Sequence, residues 1–401
     1  MRKHEGKKVS RRDFLKTAGL ATAASTFGIV SAESVTETTA NSTVQFGFIG
    51  CGGRGNADAT GFVKTGQCKI AAVADWFEDR AKAAQRRFEV DASRCFVGED
   101  GYRKVLDLKE VEAIVEASPP GFRPRHFLAA VEAGKHVFME KPVAVDTWGC
   151  REVLEAGERA KAKNLSVMVG MQAHHSNEYI AAQKKVAEGA LGTIVQGRAI
   201  YTFGPFHVGE YSPEPLTRDW MVRNWYCFRW LSGDYIVEQN IHCFGVLNWF
   251  IGGHPIRCAG YGGRRVRTTH GDIFDHFNLA FEYPGPVHLT FVSGQVEKGG
   301  PSIQRELYGT KASYYSPATI KGEEGEWRAE PGGNQYEDFV KSIKSGPILA
   351  EAQRGAEATF TTVLGRTAGY TGKEAVWDEV WKANEKLEER PYPVIESTPR
   401  T

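Results

Sequence analysis

A chain of 401 residues with 41% hydrophobic and 25% charged side chains is long enough for two globular domains. This composition excludes disordered, collagen-like and coiled-coil proteins. Residues 1–32 hold seven of the 50 basic residues but only two acidic ones, which leaves 43 basic and 47 acidic residues beyond them. The slightly acidic remainder of the chain gives no reason to expect a nucleic-acid partner.

The segment 1–32 is typical of an export signal. A basic start precedes the heptapeptide Ser-Arg-Arg-Asp-Phe-Leu-Lys at 10–16, and an apolar run then leads to the small-residue exit Ser31-Ala32. The apolar run Thr17–Val30 is too short to span a hydrocarbon core of about 30 Å, so no stable membrane anchor is expected. The heptapeptide resembles the twin-arginine motif, which implies passage of a folded protein through the twin-arginine translocon to the bacterial periplasm.

The seven cysteines predict neither a disulfide framework nor a zinc site, because they are widely spaced and include no Cys-x-x-Cys pair. Each is more readily explained as a small buried side chain. His174-His175 is an adjacent histidine pair, and on a strand its two side chains point apart. A chelate is therefore not expected, and no metal site is predicted.

Residues 33–43 are polar and rich in threonine, which predicts a linker. From Val44 onwards short apolar runs alternate with stretches of helical periodicity, which predicts βαβ units and a doubly wound parallel sheet over residues 44–171. The predicted strands are Val44–Ile49, Ile70–Ala74, Ala113–Ala117, His136–Met139 and Ser166–Val169, and the predicted helices include Glu78–Phe88 and Thr147–Ala162.

Residues 172–401 have longer β-like runs bounded by Gly and Pro, which predicts an α+β domain with a large, open, mostly antiparallel sheet. An aromatic-rich insertion, Trp220–Phe250, is expected to be helical in its second half. The predicted strands are Thr193–Phe203, Ile256–Val266, Phe274–Tyr283, Val287–Val292 and Ile303–Tyr308, and the predicted helices are Glu178–Glu188, Gln335–Lys344 and Arg354–Tyr370.

A glycine-rich turn, Gly50-Cys51-Gly52-Gly53-Arg54-Gly55, follows the first predicted strand. In a dinucleotide-binding turn the first glycine permits the bend, the second admits the pyrophosphate, and the third lets the helix pack on the strand. Asp75 ends the second predicted strand, where its carboxylate would accept hydrogen bonds from ribose hydroxyls and oppose the extra phosphate of NADP. The pattern predicts a Rossmann domain that binds NAD, and the alternative is a flavodoxin-like turn without a dinucleotide. The predicted cofactor-binding residues are Gly50, Gly52, Gly53, Arg54, Gly55 and Asp75.

Two further segments carry candidate catalytic groups. Glu140-Lys141-Pro142 follows the strand that ends at Met139, at the edge of a parallel sheet where ligands bind, and its Lys–Pro bond is a candidate for the cis form. Glu238 and His242 are four residues apart, so one helix would place both on one face, where the carboxylate helps the imidazole take a proton near neutral pH. Taken alone, the lysine also fits a solvated surface charge and the histidine a satisfied core residue.

Together these segments resemble the Gfo/Idh/MocA family, which includes glucose–fructose oxidoreductase and inositol dehydrogenase. The resemblance implies a nicotinamide-dependent oxidoreductase that acts on a hydroxyl of a sugar, a sugar derivative or a cyclitol, and it implies a homo-oligomer. The matching segments are Gly50–Gly55, Asp75, Ala117–Pro120, Glu132–Pro142, Gly170–Gln172 and Gly365–Lys373.

The resemblance also implies roles for single residues. Lys141 matches the active-site lysine and His242 the general acid/base, while Glu238 stands where many members have aspartate. Gly121 and Arg123 replace histidine or another polar residue of the family, so no ligand role is carried onto Gly121. Further implied cofactor contacts are Ser118, Pro119, Glu140, Lys141 and Gln172. The implied substrate contacts are His242 and a substrate wall that includes Arg223, Trp225, Tyr226 and Asp234, for which an ordinary aromatic core is the alternative.

Two enzymatic activities are compatible with these residues. In an oxidoreductase, His242 moves the hydroxyl proton while Lys141 polarises the oxygen, and export requires a cofactor that is tightly bound and regenerated in each cycle. In an NAD-dependent glycosidase, transient oxidation acidifies a neighbouring C–H bond, the glycosidic group is eliminated, and the net result is hydrolysis. A nucleotide-loaded binding protein is the non-enzymatic alternative.

Overall fold

The computed structural model describes residues 43–204, 216–267, 271–285, 287–296 and 300–389. The predicted export signal lies outside the described residues, as does the predicted linker up to residue 42. The described residues all fall within one compact unit. No helix within these ranges is both long and apolar enough to cross a membrane.

The first sheet is parallel and has six strands in the order β3-β2-β1-β4-β5-β6. Its strand order reverses between β1 and β4, so a crevice opens at the carboxyl ends of these two strands. The prediction missed β3, which is too short to show periodicity. The strands are β1 (Val44–Ile49), β2 (Cys68–Asp75), β3 (Cys95–Val97), β4 (Ala113–Glu116), β5 (His136–Met139) and β6 (Val167–Val169).

Helices cover both faces of this sheet, and the buried strands are accordingly apolar along their length. The last of these helices is capped by Asp146, whose Oδ1 accepts a hydrogen bond from the Gly149 N–H (2.7 Å). The helices are α1 (Gly53–Lys64), α2 (Glu78–Arg87), α3 (Gly101–Leu106), α4 (Arg123–Glu132) and α5 (Thr147–Ala162).

The second sheet has nine strands in the order β14-β13-β12-β11-β7-β10-β9-β8-β15, and only the β7–β10 pair is parallel. The predicted mostly antiparallel sheet is thus confirmed. The prediction missed β12 to β14, which have four residues each and no continuous apolar run, and it missed the two-residue β15. The strands are β7 (Ile194–Thr202), β8 (Arg257–Gly263), β9 (His276–Tyr283), β10 (Val287–Gly294), β11 (Ser302–Gly309), β12 (Ala312–Tyr315), β13 (Thr319–Gly322), β14 (Gly325–Arg328) and β15 (Ala375–Val376).

One face of the second sheet is covered by helices and the other is open. In β9, Phe277, Leu279 and Phe281 are buried while Asn278 and Ala280 are exposed, the alternation of a sheet with one solvated face. The first half of the aromatic insertion also contains short helices, which the sequence did not predict. The helices are α6 (Asn177–Ala187), α7 (Arg218–Arg223), α8 (Arg229–Ser232), α9 (Tyr235–Glu238), α10 (Ile241–Ile251), α11 (Gln335–Lys344), α12 (Ala352–Thr371) and α13 (Trp377–Ala383).

Two C-terminal helices connect the sheets. Helix α12 packs against both α5 and the second sheet. Helix α11 returns to the first sheet, where Phe339 lies 5.7 Å from Phe62 and 6.2 Å from Phe46 between ring centroids. The carboxyl edge of the first sheet and the helix-covered face of the second are thereby held side by side.

Candidate active site

The glycine turn after β1 has the geometry of an anion cradle. Gly50 adopts a positive φ of 86°, and a Cβ there would lie 2.4 Å from the backbone nitrogen of Ser118. A Cβ on Gly55 would lie 2.2 Å from the Gly50 carbonyl oxygen, whereas Gly52 and Gly53 face open space. No side chain caps the start of α1, so its first N–H groups remain directed at this space. The turn therefore fits a pyrophosphate.

Asp75 braces this turn and lines the adjoining cleft. Its Oδ2 accepts a hydrogen bond from the Cys51 N–H (2.7 Å) and its Oδ1 from the Phe77 N–H (2.8 Å). Burial raises the pKa of the Asp75 carboxyl above its ordinary value, although these two hydrogen bonds oppose the shift. The cleft wall beyond it includes the parallel rings of Trp76 and Phe122, whose centroids are 5.6 Å apart. A carboxylate beside an aromatic wall suits a ribose and its base.

Arg54 joins three loops at the carboxyl edge of the first sheet. Its guanidinium donates to Glu140 Oε1 (2.9 Å) and forms an ion pair with Asp58 (2.8 Å). With the amide oxygen of Gln172 turned towards it, Arg54 also donates to Gln172 at 2.7 and 2.9 Å. Burial, together with the charge of Glu140, raises the pKa of Asp58 above its ordinary value, whereas the charge of Arg54 opposes the shift. The structure thus brings together Arg54, Glu140 and Gln172, three of the predicted cofactor contacts.

Ser118 and Pro119 line the same cleft, as a cofactor-contacting loop requires. The Ser118 hydroxyl and N–H both donate to Glu116 Oε1. Arg123, for which the sequence gave no role, is buried and donates to the carbonyl oxygens of Ser118 (2.9 Å), Glu140 (2.9 Å) and Pro142 (2.7 Å). Arg123 therefore fixes the loops after β4 and β5 relative to each other. An arginine placed directly after a proline loop was the only sequence signal for this role.

Lys141 forms an ion pair with Glu238, and the Lys141–Pro142 bond is cis, as predicted. Lys141 Nζ donates to Glu238 Oε1 (2.7 Å) and to the Glu238 carbonyl oxygen (2.6 Å). The prediction that Glu238 and His242 share one helix is wrong, because α9 ends at Glu238 and α10 begins at Ile241. The His242 N–H bonds weakly to the Gln239 carbonyl (3.4 Å), which leaves the Glu238 carbonyl free for the lysine. The carboxylate predicted to act on the imidazole thus pairs with the lysine.

Lys141, Glu238 and His242 are each partly exposed, and the charge of Lys141 acts on the imidazole, so we infer that the three side chains border one opening of the protein surface. Of residues 231–248, all of which are described, only Glu238 and His242 are not buried. Neither ring nitrogen of His242 forms a hydrogen bond with a described residue. Burial, together with the charges of Lys141, Arg305 and Arg54, holds the pKa of His242 well below its ordinary value. The imidazole is therefore neutral at neutral pH and available as a base.

The predicted substrate wall divides into two parts. Tyr226 lies beside the Lys141–Glu238 pair: burial and the charge of Glu238 raise the pKa of its phenol, whose oxygen accepts from Gln295 Nε2 (2.8 Å). Trp225 packs edge-on against Tyr226, with ring centroids 5.6 Å apart. Gln295, on the strand side of the opening, was not singled out in the sequence.

The two charged residues of that wall have protein partners elsewhere. Arg223 is exposed and pairs with Asp79 (2.8 Å), beside the nucleotide cleft. Asp234 is buried and accepts hydrogen bonds from the Phe274 N–H (2.9 Å) and the Tyr370 hydroxyl (2.6 Å). Burial raises the pKa of Asp234 to about 6. Substrate contacts by Arg223 and Asp234 stay predictions.

The histidine pair lies on a 3-10 helix, Gln172–His175, and not on a strand. The chain turns here directly after β6, because it must leave the sheet to enter α6. His174 stacks on Trp249 (4.6 Å), while His175 contacts Asp338 (2.8 Å) and Glu351 (3.1 Å). Across the part of the chain that the structure describes, no group of three or more His, Cys, Asp or Glu side chains is arranged to hold a metal ion.

A doubly wound sheet with this glycine turn at its switch point defines a dinucleotide-binding α/β protein, here joined to a large second sheet. Residues 44–171 match the family model described as "Oxidoreductase family, NAD-binding Rossmann fold", and residues 179–315 match the "GFO/IDH/MocA C-terminal domain". The chain belongs to the Gfo/Idh/MocA family. Residues 8–28 match the twin-arginine translocation signal, which directs export to the periplasm.

Curated relatives carry two different names. The chain is 26% identical over 217 residues to a "Glycosyl hydrolase family 109 protein" of Shewanella sp. (strain W3-18-1), covering 48% of this chain and 46% of that protein. It is 30% identical over 203 residues to an inositol 2-dehydrogenase of Burkholderia lata, covering 50% and 58%. The chain thus spans about half the length of the curated relatives it matches.

The fold has close counterparts among solved structures. The aldose-aldose oxidoreductase from Caulobacter crescentus aligns with a TM-score of 0.67 at 18% identity, over 83% of this chain and 99% of that one. At this level of identity the likeness is one of fold.

Proposed function

We propose that the protein is a nicotinamide-dependent oxidoreductase acting on a hydroxyl of a sugar, a sugar derivative or a cyclitol. The observation that carries the proposal is the shared opening of the Lys141–Glu238 ion pair and a neutral His242 at the carboxyl edge of the first sheet. Family membership and the relative named inositol 2-dehydrogenase support it. The bound cofactor supplies the acceptor for the hydride that leaves the carbinol carbon.

The side chains at this opening transfer the proton and position the substrate oxygen. His242, unprotonated and partly exposed, accepts the proton of the substrate hydroxyl and returns it to solvent. The ammonium of Lys141 has three donors, of which two bond to Glu238, so the third is left for the substrate oxygen. Arg123 holds the carbonyls on either side of Lys141 and fixes the position of that ammonium.

NAD is the proposed cofactor, held from Gly50, Gly52, Gly53, Arg54 and Gly55 and from the loops of Ser118, Pro119, Glu140, Lys141 and Gln172. Each Asp75 oxygen accepts one backbone N–H and keeps a further lone pair for a ribose hydroxyl. The extra phosphate of NADP would meet this carboxylate. A cofactor that stays bound suits an exported enzyme, because free dinucleotide is scarce outside the cytoplasm.

A second candidate activity is net glycoside hydrolysis, favoured by the relatives named glycosyl hydrolase family 109. A ring hydroxyl is oxidised, the neighbouring carbon loses its proton, and the glycosidic group leaves with the electron pair. Water then adds to the resulting double bond and the ketone is reduced, so the cofactor ends as it began. The same His242 and Lys141 serve the oxidation and the reduction.

One experiment separates these activities. The exported protein is purified, its dinucleotide content is measured by mass spectrometry, and it is incubated with free sugars, cyclitols and glycosides without added dinucleotide. Reduction of the bound cofactor without bond cleavage supports the oxidoreductase. Release of free sugar from a glycoside supports the glycosidase, and a protein without bound dinucleotide that does neither contradicts both.

We also propose that the protein forms a homo-oligomer in which the open faces of the second sheet from two copies pack against each other. The exposed side chains of β9 on this face have no cover among the described residues. Light scattering of the purified protein tests the proposal, and a monomer at micromolar concentration contradicts it.

A further inference from the structure

Arg305 is a charged side chain in the opening that the proposed reaction does not use. It lies on β11 directly opposite Ala199 of β7, on the helix-covered face of the second sheet. Its Nη1 donates to the Tyr179 hydroxyl (2.6 Å), and its Nε is buried beside the Cys243 thiol without a nitrogen or oxygen acceptor. Arg305 and Tyr179 are mostly but not fully buried, so a ligand has access to them.

The positive charge of Arg305 is not balanced by a carboxylate. Of the three cations that act on His242, Lys141 pairs with Glu238 and Arg54 with Asp58 and Glu140, whereas Arg305 pairs with no carboxylate among the described residues. A guanidinium removed from water without a counter-charge is costly, and a bound anion would relieve that cost.

The groups nearest to Arg305 are neutral ones. The acidic groups that act on its charge are the thiol of Cys243 and the phenols of Tyr179 and Tyr314. Burial raises the pKa of each of these three groups above its ordinary value, so none is ionised near neutral pH. No carboxylate among the described residues thus neutralises Arg305, and its charge is available to an anionic ligand.

We propose that Arg305 and Tyr179 form a subsite for the carboxylate of an acidic sugar, such as a hexuronate, next to His242. The planar guanidinium matches the two oxygens of a carboxylate, and the tyrosine hydroxyl holds it in place. The subsite rests on the proposed function, because it assigns the class of sugar that the oxidoreductase or the glycosidase takes. Binding the carboxylate also removes an unpaired cation from the vicinity of His242, which strengthens that base when the acidic substrate is present.

The test compares matched acidic and neutral sugars on the purified holoenzyme. Calorimetry measures the binding of D-glucuronate against D-glucose and of D-galacturonate against D-galactose, and absorbance follows reduction of the bound cofactor. We expect hexuronates to bind about tenfold or more tightly than their neutral partners, as charge-assisted recognition allows. Neutral sugars that bind as tightly as their acidic partners, or more tightly, overturn the subsite.

Variants then test whether the preference for hexuronates depends on Arg305. Arg305→Gln should weaken hexuronate binding by about tenfold more than it weakens binding of the neutral sugars, and Arg305→Lys should restore part of the difference. Arg159→Gln is the matched control, since Arg159 is an exposed arginine of α5 that pairs with Glu132 and Glu155. Equal losses for both sugar types in Arg305→Gln and Arg305→Lys assign Arg305 a structural role and overturn the proposal.

Two further arms separate the alternatives. Sulfated and phosphorylated glucose test the nature of the anion, and Arg305-dependent binding of either that is tighter than glucuronate binding overturns the carboxylate assignment. Cofactor reduction by neutral sugars alone overturns the subsite but leaves the proposed function standing. Hexuronates and their glycosides that bind through Arg305 but are neither oxidised nor cleaved support the subsite and contradict the proposed function.

Discussion

Lys141 reaches the backbone carbonyl of Glu238 because the helix is interrupted between Glu238 and His242. In an unbroken helix that carbonyl would accept the His242 N–H, and the lysine would find only the carboxylate. The interruption gives Lys141 two acceptors on one residue (2.6 and 2.7 Å). One break in a helix therefore fixes the lysine beside Glu238, while burial and the neighbouring cations lower the pKa of His242 and keep its imidazole neutral.

Substitution of either catalytic candidate tests this arrangement. His242→Ala and Lys141→Ala should each lower turnover by about 10²–10⁴-fold, the reach of general acid–base catalysis, while dinucleotide binding changes by a few-fold at most. Turnover is measured with a deuterated sugar, so that the transferred hydride is followed directly. Lys161→Ala, on the exposed side of α5, is the control and should keep wild-type turnover. Wild-type turnover in both His242→Ala and Lys141→Ala would show that these two residues have only a structural role.

The rate should depend on pH through His242. Because burial and neighbouring cations lower the pKa of His242, the base is lost only at pH values below about 6.5, the ordinary value for histidine. The acid limb of the kcat/KM profile should therefore lie below that pH. Arg305→Gln removes one of the cations and should move the limb to higher pH. An acid limb above neutral pH would contradict a depressed pKa.

Asp75 should set the choice of dinucleotide. Asp75→Asn keeps an acceptor for the Cys51 N–H but removes the charge, so it should narrow the gap between NAD and NADP affinity. Asp75→Ala also loses the brace and should weaken the binding of NAD. Fluorescence titration measures both, with the exposed Asp91→Ala as the control. Unchanged affinities in the two Asp75 variants would mean that another residue contacts the ribose.

Stability should fall in acid through His136. The His136 Nδ1 accepts the Ser166 N–H (2.8 Å), and burial lowers the pKa of His136 to about 4. Between about pH 6.5 and that value the unfolded chain binds a proton that the folded chain does not, so unfolding becomes easier as pH falls. Tm measured against pH should fall less steeply in His136→Asn than in the wild type. An equal slope of Tm against pH in the wild type and in His136→Asn would contradict this. A reduced slope in the exposed control variant His288→Asn but not in His136→Asn would contradict it as well.

Export should require both arginines of the heptapeptide. Replacing Arg11 and Arg12 by Lys should keep the protein in the cytoplasm, whereas replacing Lys7 and Lys8 by Arg, which also preserves charge, should not. Cell fractionation measures the distribution, and N-terminal sequencing should find a mature chain that starts near Glu33. Normal periplasmic levels of the double lysine variant would indicate the general secretory route.

Part of this structure could be predicted from the sequence because it depends on local signals. The helices Thr147–Ala162 and Gln335–Lys344 match their predicted bounds, because each has an apolar stripe and a capping residue, Asp146 or Asn334. The glycine turn carries its geometry in its own residues. The helix break after Glu238 depends on Lys141, which is distant in the chain, so no local sequence pattern predicts it. Arg123 and Arg305 likewise acquire their roles from partners that only the folded chain assembles.

Helix α11 has a consequence for how the protein is made. Its Phe339 joins the rings of Phe46 and Phe62, and its Tyr336 donates to Asp58 (2.9 Å), the partner of Arg54. The first sheet thus completes its core only with a segment that the ribosome adds long after the sixth strand of that sheet. A chain cut short before this helix leaves an aromatic surface uncovered beside the glycine turn. The turn therefore reaches its final surroundings only after α11 has been synthesised and has packed onto the first sheet.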